Sequence, residues 1–157
     1  MPIEIERKFV VSNDSFVTNS YKRQYIKQGF LNSDKNRTVR IRILDNQGYI
    51  TIKGVSNKSG TTRFEWEKEI PKEEAETLLL LAEKKPIEKV RYLLKNNDLV
   101  FEIDVFEGLN KGLIIAEIEL SHEDQNFKKP NWLGSEVTGD IKYYNSSLSN
   151  NPYSKWI

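Results

Sequence analysis

The chain has no cysteine, one methionine and one histidine. Without cysteine there can be no disulfide, no thiolate metal site and no cysteine nucleophile, and a reducing compartment is compatible with that composition. The lone His122 follows the last strong strand pattern and reads as a turn or surface residue. Long apolar runs are missing too. The longest, Leu78 to Ala82, falls far short of the roughly 20 residues of a membrane span, and the first residues are acidic where a signal peptide carries bases and then an apolar stretch. The expectation is a cytoplasmic protein with no membrane partner. Net charge is nearly absent, 24 Lys and Arg against 23 Asp and Glu leaving +1. Any grip on an anion therefore comes from how charge is arranged, and nucleic acid is not indicated as a partner. There is no Gly-rich phosphate loop, nucleotide fingerprint or Ser-His-Asp set.

What is present is charge of both signs, 30% of the chain, against about 25% in ordinary globular proteins. A length of 157 residues fits one domain spanning 1–157. Strand-like alternation appears at Ile3 to Val11, Arg23 to Leu31, Thr38 to Leu44, Tyr49 to Gly54, Thr62 to Ile70, Glu88 to Lys95, Leu99 to Phe106 and Leu113 to Leu120. Short polar turns such as Asp45-Asn46-Gln47-Gly48 and Asn96-Asn97-Asp98 imply mostly antiparallel neighbours. One helix is predicted from Pro71 to Lys84-Lys85, with acids early and bases late as the helix dipole favours, covering a rim or flank of the sheet. Weaker helical turns lie around Asn13 to Ser20 and Tyr144 to Ser149.

Period-2 alternation puts charge on one face of nearly every strand. Glu4, Glu6 and Lys8 project together on the first, Arg40 and Arg42 on the third, and Lys53 on the fourth. Arg63, Glu65 and Glu67 follow, then Lys89 with Arg91, Glu102 with Asp104, and Glu117 with Glu119. One reading is a solvated face with weak cross-strand ion pairs. The other is a sheet closed into a barrel, which leaves no unpaired edge and turns one face inward. With the charged face inside, the acids of the first and last strands become neighbours able to hold a hard divalent cation, and the bases form an anion-binding wall.

At these residues the chain resembles the CYTH superfamily, the triphosphate tunnel metalloenzymes. Glu4-x-Glu6-x-Lys8 matches the family hallmark, and the later charged pairs follow in family order, with Gln28-Gly29-Phe30-Leu31 and Glu136-Val137-Thr138-Gly139-Asp140-Ile141-Lys142-Tyr143-Tyr144-Asn145 resembling its second strand and closing segment. The resemblance implies an all-β-dominated fold, a closed eight-stranded antiparallel barrel with a few flanking helices, forming a charged tunnel open to solvent. It implies a metal-dependent phosphohydrolase that cleaves inorganic triphosphate to pyrophosphate and phosphate. An adenylate cyclase, a nucleoside or thiamine triphosphatase, or a noncatalytic polyphosphate-binding module are the other readings. Carried over, Glu4, Glu6, Glu117 and Glu119 hold Mg²⁺ or Mn²⁺, and with Lys8 they are the catalytic set. Lys8, Arg40, Arg42, Lys53, Arg63, Lys89 and Arg91 bind phosphates, with Lys142 capping the tunnel, while Glu65, Glu67, Glu102 and Asp104 orient the bases or hold a second metal. The partner is a small triphosphate, and an apolar outer strand face would permit a homodimer.

Overall fold

The computed structural model describes residues 3–156. The eight anticipated strands are β1 (Ile3–Val11), β2 (Lys22–Asp34), β3 (Arg37–Leu44), β4 (Gln47–Gly54), β5 (Thr62–Ile70), β6 (Ile87–Asn96), β7 (Leu99–Phe106) and β8 (Ile114–Glu119). They pair antiparallel in the order β5-β4-β3-β2-β6-β7-β8-β1, and β1 returns to β5 to close the ring. Asp45 and Asn97, at φ 54° and 55°, hold the turns of two hairpins in the left-handed conformation that Asp and Asn tolerate.

A ninth strand, β9 (Leu133–Glu136), is an addition to that expectation. Leu133-Gly134-Ser135-Glu136 has neither β-branched residues nor alternation, so nothing local marks it. It forms because β1 pairs with β5 only through Ile5, and β9 takes up the edge farther along, Phe9 opposite Glu136 and Val11 opposite Leu133. Arg7, which alternation turns outward, fastens the addition with two bonds to Glu136, at 2.9 and 2.6 Å. Between the two pairings the seam is bridged by loops: Glu6 N–H donates to Thr61 O and Lys8 N–H to Thr138 Oγ1. These loops meet at Gly60 and Gly139, both near φ 78°, where a Cβ on Gly60 would lie 2.2 Å from Gly139 Cα.

Apolar residues cover the outer face in two patches. Phe9, Phe101, Ile103, Ala116 and Ile118 pack beneath Phe16 and Trp132, and Ile41 and Ile43 pack beneath α1 (Lys72–Leu79) through Ala75 and Leu79. The helix is shorter than its sequence pattern. It stops at Leu79, so Lys84 and Lys85 lie beyond it and no base occupies its last turn. Chain direction there is set by β2 instead: Glu83 N–H donates to Phe30 O, and Ser33 Oγ donates to the Glu83 carboxylate. Among the described residues no helix is long and apolar enough to cross a membrane.

A third apolar cluster lies on the inner face. Ile87, Phe106 and Ile115 share the strand faces of Lys89, Asp104 and Glu117, and they are buried with Leu113 against Leu148 of α2 (Asn145–Asn150). The barrel is therefore charged along most of its interior and apolar at one end, where α2 plugs it. This is the expected charged tunnel, with one end filled by α2.

Candidate functional site

Above that plug is a cavity of about 200 Å³. All of the predicted charged residues except Asp104 and Lys142 line it, joined by Thr38, Thr51, Phe30, Tyr144, Asn145 and Ser146. Strand register puts them together: Glu6 faces Glu119, Lys8 faces Glu117, Glu4 faces Arg63, and Lys53 faces Glu65.

One region of the cavity is acidic. Lys53 Nζ lies 2.8 Å from Glu4 and 3.3 Å from Glu65, Arg63 Nε lies 3.5 Å from Glu4, and Lys8 Nζ lies 3.8 Å from Glu117. Five carboxyls, those of Glu4, Glu6, Glu65, Glu117 and Glu119, thus meet three cations, an excess of two negative charges. The excess raises the pKa values of several of these carboxyls. Burial, then repulsion by Glu117 and Glu4, pushes the Glu6 carboxyl well above its ordinary range, and it shares its proton with Glu117. Burial and its contact with Glu4 push Glu65 to about 7. Burial opposes ionisation of Glu4 too, but Lys53 and the bond from Glu65 outweigh it, and Glu4 stays below the ordinary carboxylate range. Among the described residues no three His, Asp or Glu side chains converge as a ready ligand set. The donors fit a hard dication by chemistry and by charge: oxygen ligands only, with an excess of two that one such ion would offset.

The other wall is basic and already organised. Asp104, 1% exposed, accepts Lys89 Nζ at 2.6 Å and holds Arg91 bidentately at 2.7 and 2.9 Å. It sits behind the lining and fixes the two bases that face the cavity. Thr51 accepts from Arg40 and donates to Glu67, and Gln28 accepts from Arg42 at 3.0 Å. Negative charge is short on this side. Burial, then repulsion by Arg40 and Arg91, drops Arg42 to about 9, and burial drops Lys89 to about 7 in spite of Asp104. Arg40 Nε is buried without a hydrogen-bond partner among the described residues. An anion with several oxygens would answer both deficits.

The family model of the CYTH domain matches residues 2–149. The chain belongs to the CYTH family. It is 48% identical over 151 residues to an inorganic triphosphatase of Acetivibrio thermocellus, covering 96% of this chain and 95% of that one. It is 35% identical over 150 residues to an inorganic triphosphatase of Nitrosomonas europaea, covering 93% of this chain and 96% of that one. A solved inorganic triphosphatase structure matches at TM-score 0.66 with 33% identity, covering 95% of each chain.

Lys142 is the predicted site residue that this CYTH fold leaves outside. It is exposed, and its ammonium lies 4.4 Å from the Trp156 ring centre and 5.4 Å from that of Tyr143. The same segment reaches the cavity through Tyr144, whose ring lies 4.8 Å from Lys8 Nζ, and through Asn145. Thr38 and Thr51 were readable in principle, since each sits two residues from a charged inward position, Arg40 and Lys53. The segments holding Gln28 and Asn145 carried the family resemblance, but no charge or spacing in the sequence paired either side chain with the basic wall.

Proposed function

We propose that this protein hydrolyses inorganic triphosphate to pyrophosphate and phosphate with the help of a divalent cation, Mg²⁺ or Mn²⁺, in the reducing cytoplasm. The observation that carries the reading is the pairing inside one cavity of a basic wall short of anions with a carboxyl cluster short of cations. The names of the curated relatives support it. Phe30 and Tyr144 are the only aromatic residues among the lining, which leaves little for a nucleoside base to stack on and favours the inorganic substrate over organic triphosphates.

In this reading Lys8, Arg40, Arg42, Lys53, Arg63, Lys89 and Arg91 bind phosphoryl oxygens, arginine forks fixing orientation and the summed charge stabilising the transition state. Asp104 keeps Lys89 and Arg91 aimed. Glu6, Glu117 and Glu119 would hold the cation, with Glu4 completing the set. Once bound, such an ion supplies charge neutralisation and a polarised water. Water attacks the terminal phosphorus, the bridging P–O bond breaks, and pyrophosphate leaves with the bond's electron pair. A carboxylate of the acidic region takes the water's proton, with no side-chain nucleophile.

Incubation with tripolyphosphate and Mg²⁺ or Mn²⁺ should release phosphate and pyrophosphate in equal amounts. No release with either metal would sink the proposal. Replacing Glu4 or Glu6 by Ala should abolish turnover while far-UV circular dichroism stays unchanged.

A further inference from the structure

The plugged end of the barrel is built around one side chain whose orientation can be deduced. Arg42 Nε donates to Gln28 Oε1 at 3.0 Å, so Gln28, which is fully buried, presents its Nε2 to Asn145. That nitrogen donates to Asn145 Oδ1 at 2.7 Å, and Lys89 Nζ donates to the same oxygen at 2.9 Å. Arginine only donates, which fixes the Gln28 amide, and Gln28 Nε2 in turn fixes Asn145 Oδ1. With its oxygen taken twice, Asn145 keeps Nδ2 for something else. That nitrogen has no hydrogen-bond partner among the described residues, and Asn145 lines the cavity. Directly behind it, Leu148 is 1% exposed against Ile87, Phe106, Leu113 and Ile115. Asn145 is thus the last polar residue before a packed apolar floor, a donor held beside the buried Lys89 and linked through Gln28 to the half-buried Arg42.

We propose that Asn145 is the end stop of the tunnel: a specificity-determining residue that donates Nδ2–H to the terminal phosphoryl group bound by Lys89 and Arg42, so that the site accepts phosphate chains only by a free end. The assignment rests on the phosphate-binding reading given above and adds a substrate class to it. A free phosphoryl end offers three oxygens to Asn145, Lys89 and Arg42. A capped end offers fewer and pushes its substituent against Leu148 and Phe106, which cannot yield because they are packed. Any organic group on a substrate must then sit at the opposite end, beside the exposed carboxylates of Glu67 and Glu119 and the half-buried one of Glu65. A chain cannot thread through the barrel and be cut internally. It enters end first, and its products leave by the same mouth.

The test is binding, measured by calorimetry without metal, of tripolyphosphate, methyl triphosphate and P1,P3-dimethyl triphosphate to the intact protein. The first cap removes a charge and should weaken binding by no more than about 10-fold; the second should cost about 100-fold more, because no free end remains. If the second cap costs no more than the first, the end stop is wrong. In Asn145→Ala, tripolyphosphate should bind about 10-fold more weakly and the added cost of the second cap should shrink to below about 10-fold. An undiminished second-cap penalty in that variant, with its thermal midpoint unchanged, would overturn the role of Asn145. Asn145→Asp gives an independent check, since its carboxylate should repel the terminal phosphoryl group and weaken tripolyphosphate more than Ala does, and equal affinities would count against the assignment. Turnover assays judge the hydrolase reading separately: tripolyphosphate that binds but is not cleaved removes the hydrolase and leaves the end stop to be decided by the caps.

Discussion

Two sets of inward-facing carboxyls, one buried and one half-buried, stand on neighbouring strands of this barrel and behave in opposite ways. Asp104, on β7, is completed by the protein: one ammonium and one bidentate guanidinium satisfy it, and it is held down at about 2 although burial works against ionisation. Glu6 and Glu117, on β1 and β8, have one ion-pair partner between them among the described residues, Lys8 at 3.8 Å from Glu117, and burial and mutual repulsion raise the Glu6 pKa instead. Both sets grew from the same alternation of charged and apolar residues. The difference is that the first is an internal ion set that orients bases, whereas the second is short of a cation and so suits a ligand.

The sharpest way to break the comparison is to make the same change in both. Asp104→Asn strands Lys89 and Arg91, two buried cations, and should lower unfolding free energy by about 3–5 kcal/mol in urea titrations. A loss below about 1 kcal/mol would mean that the Asp104 set is not the structural one. Glu6→Gln replaces a carboxyl whose pKa is raised by burial and by Glu117 and Glu4 with a neutral group of the same shape that can still donate to Glu117. Its stability at neutral pH should stay within about 1 kcal/mol of the parent. Its metal-dependent phosphate release should fall by about 100-fold or more, equivalent to about 3 kcal/mol of transition-state stabilisation. A variant destabilised like Asp104→Asn would erase the distinction.

A smaller effect should appear in the pH dependence of stability, with opposite signs for the two sets. Asp104 has a folded pKa below its ordinary 3.8. Its contribution is complete above that value and is lost as pH falls through about 3.8 toward 2. The acidic region works the other way. Glu65, at about 7 against an ordinary 4.5, and Glu6, also raised, bind more protons folded than unfolded. Their contribution is complete below about 4.5 and is lost as pH rises through about 7. Thermal midpoints should therefore peak in mildly acid solution and decline toward pH 8, and Glu6→Gln with Glu65→Gln should flatten the decline. Millimolar Mg²⁺ or Mn²⁺ should raise the wild-type midpoint more at pH 8 than at pH 5, because a cation competes with those protons. Equal shifts at both values would separate the metal from this cluster.

The inward charges were legible because a strand writes its faces into alternate residues, and Glu4-x-Glu6-x-Lys8 or Lys89-x-Arg91 needs no tertiary information. Even the apolar end was written there, since Ile87, Phe106 and Ile115 continue the faces of Lys89, Asp104 and Glu117. The sequence could not say what would cover them. That depended on where the segment after β9 returns, and docking of Leu148 there carries Asn145 to the end of the cavity. β9 was illegible for a related reason: it exists because β1 leaves an edge free, a fact about β1 and β5 rather than about Leu133 to Glu136. The early end of α1 likewise follows from Glu83 binding the β2 backbone.

Lys142 measures the weakest effect and the limit of carrying a role by position. It is three residues from Asn145, in the same closing segment, yet its ammonium is spent on the faces of Trp156 and Tyr143 outside the barrel. An exposed cation over a half-buried aromatic pair contributes about 0.5–1 kcal/mol locally and nothing to a phosphate it does not meet. Lys142→Ala should leave kcat/KM for tripolyphosphate within about 3-fold of the parent, while Lys89→Ala, which removes an ammonium bonded to both Asp104 and Asn145, should lose at least about 100-fold. Should the two variants fall together, the closing segment must swing inward when substrate binds, carrying Lys142 to the phosphates, and the contrast between a fixed basic wall and an outer packing cation would no longer hold.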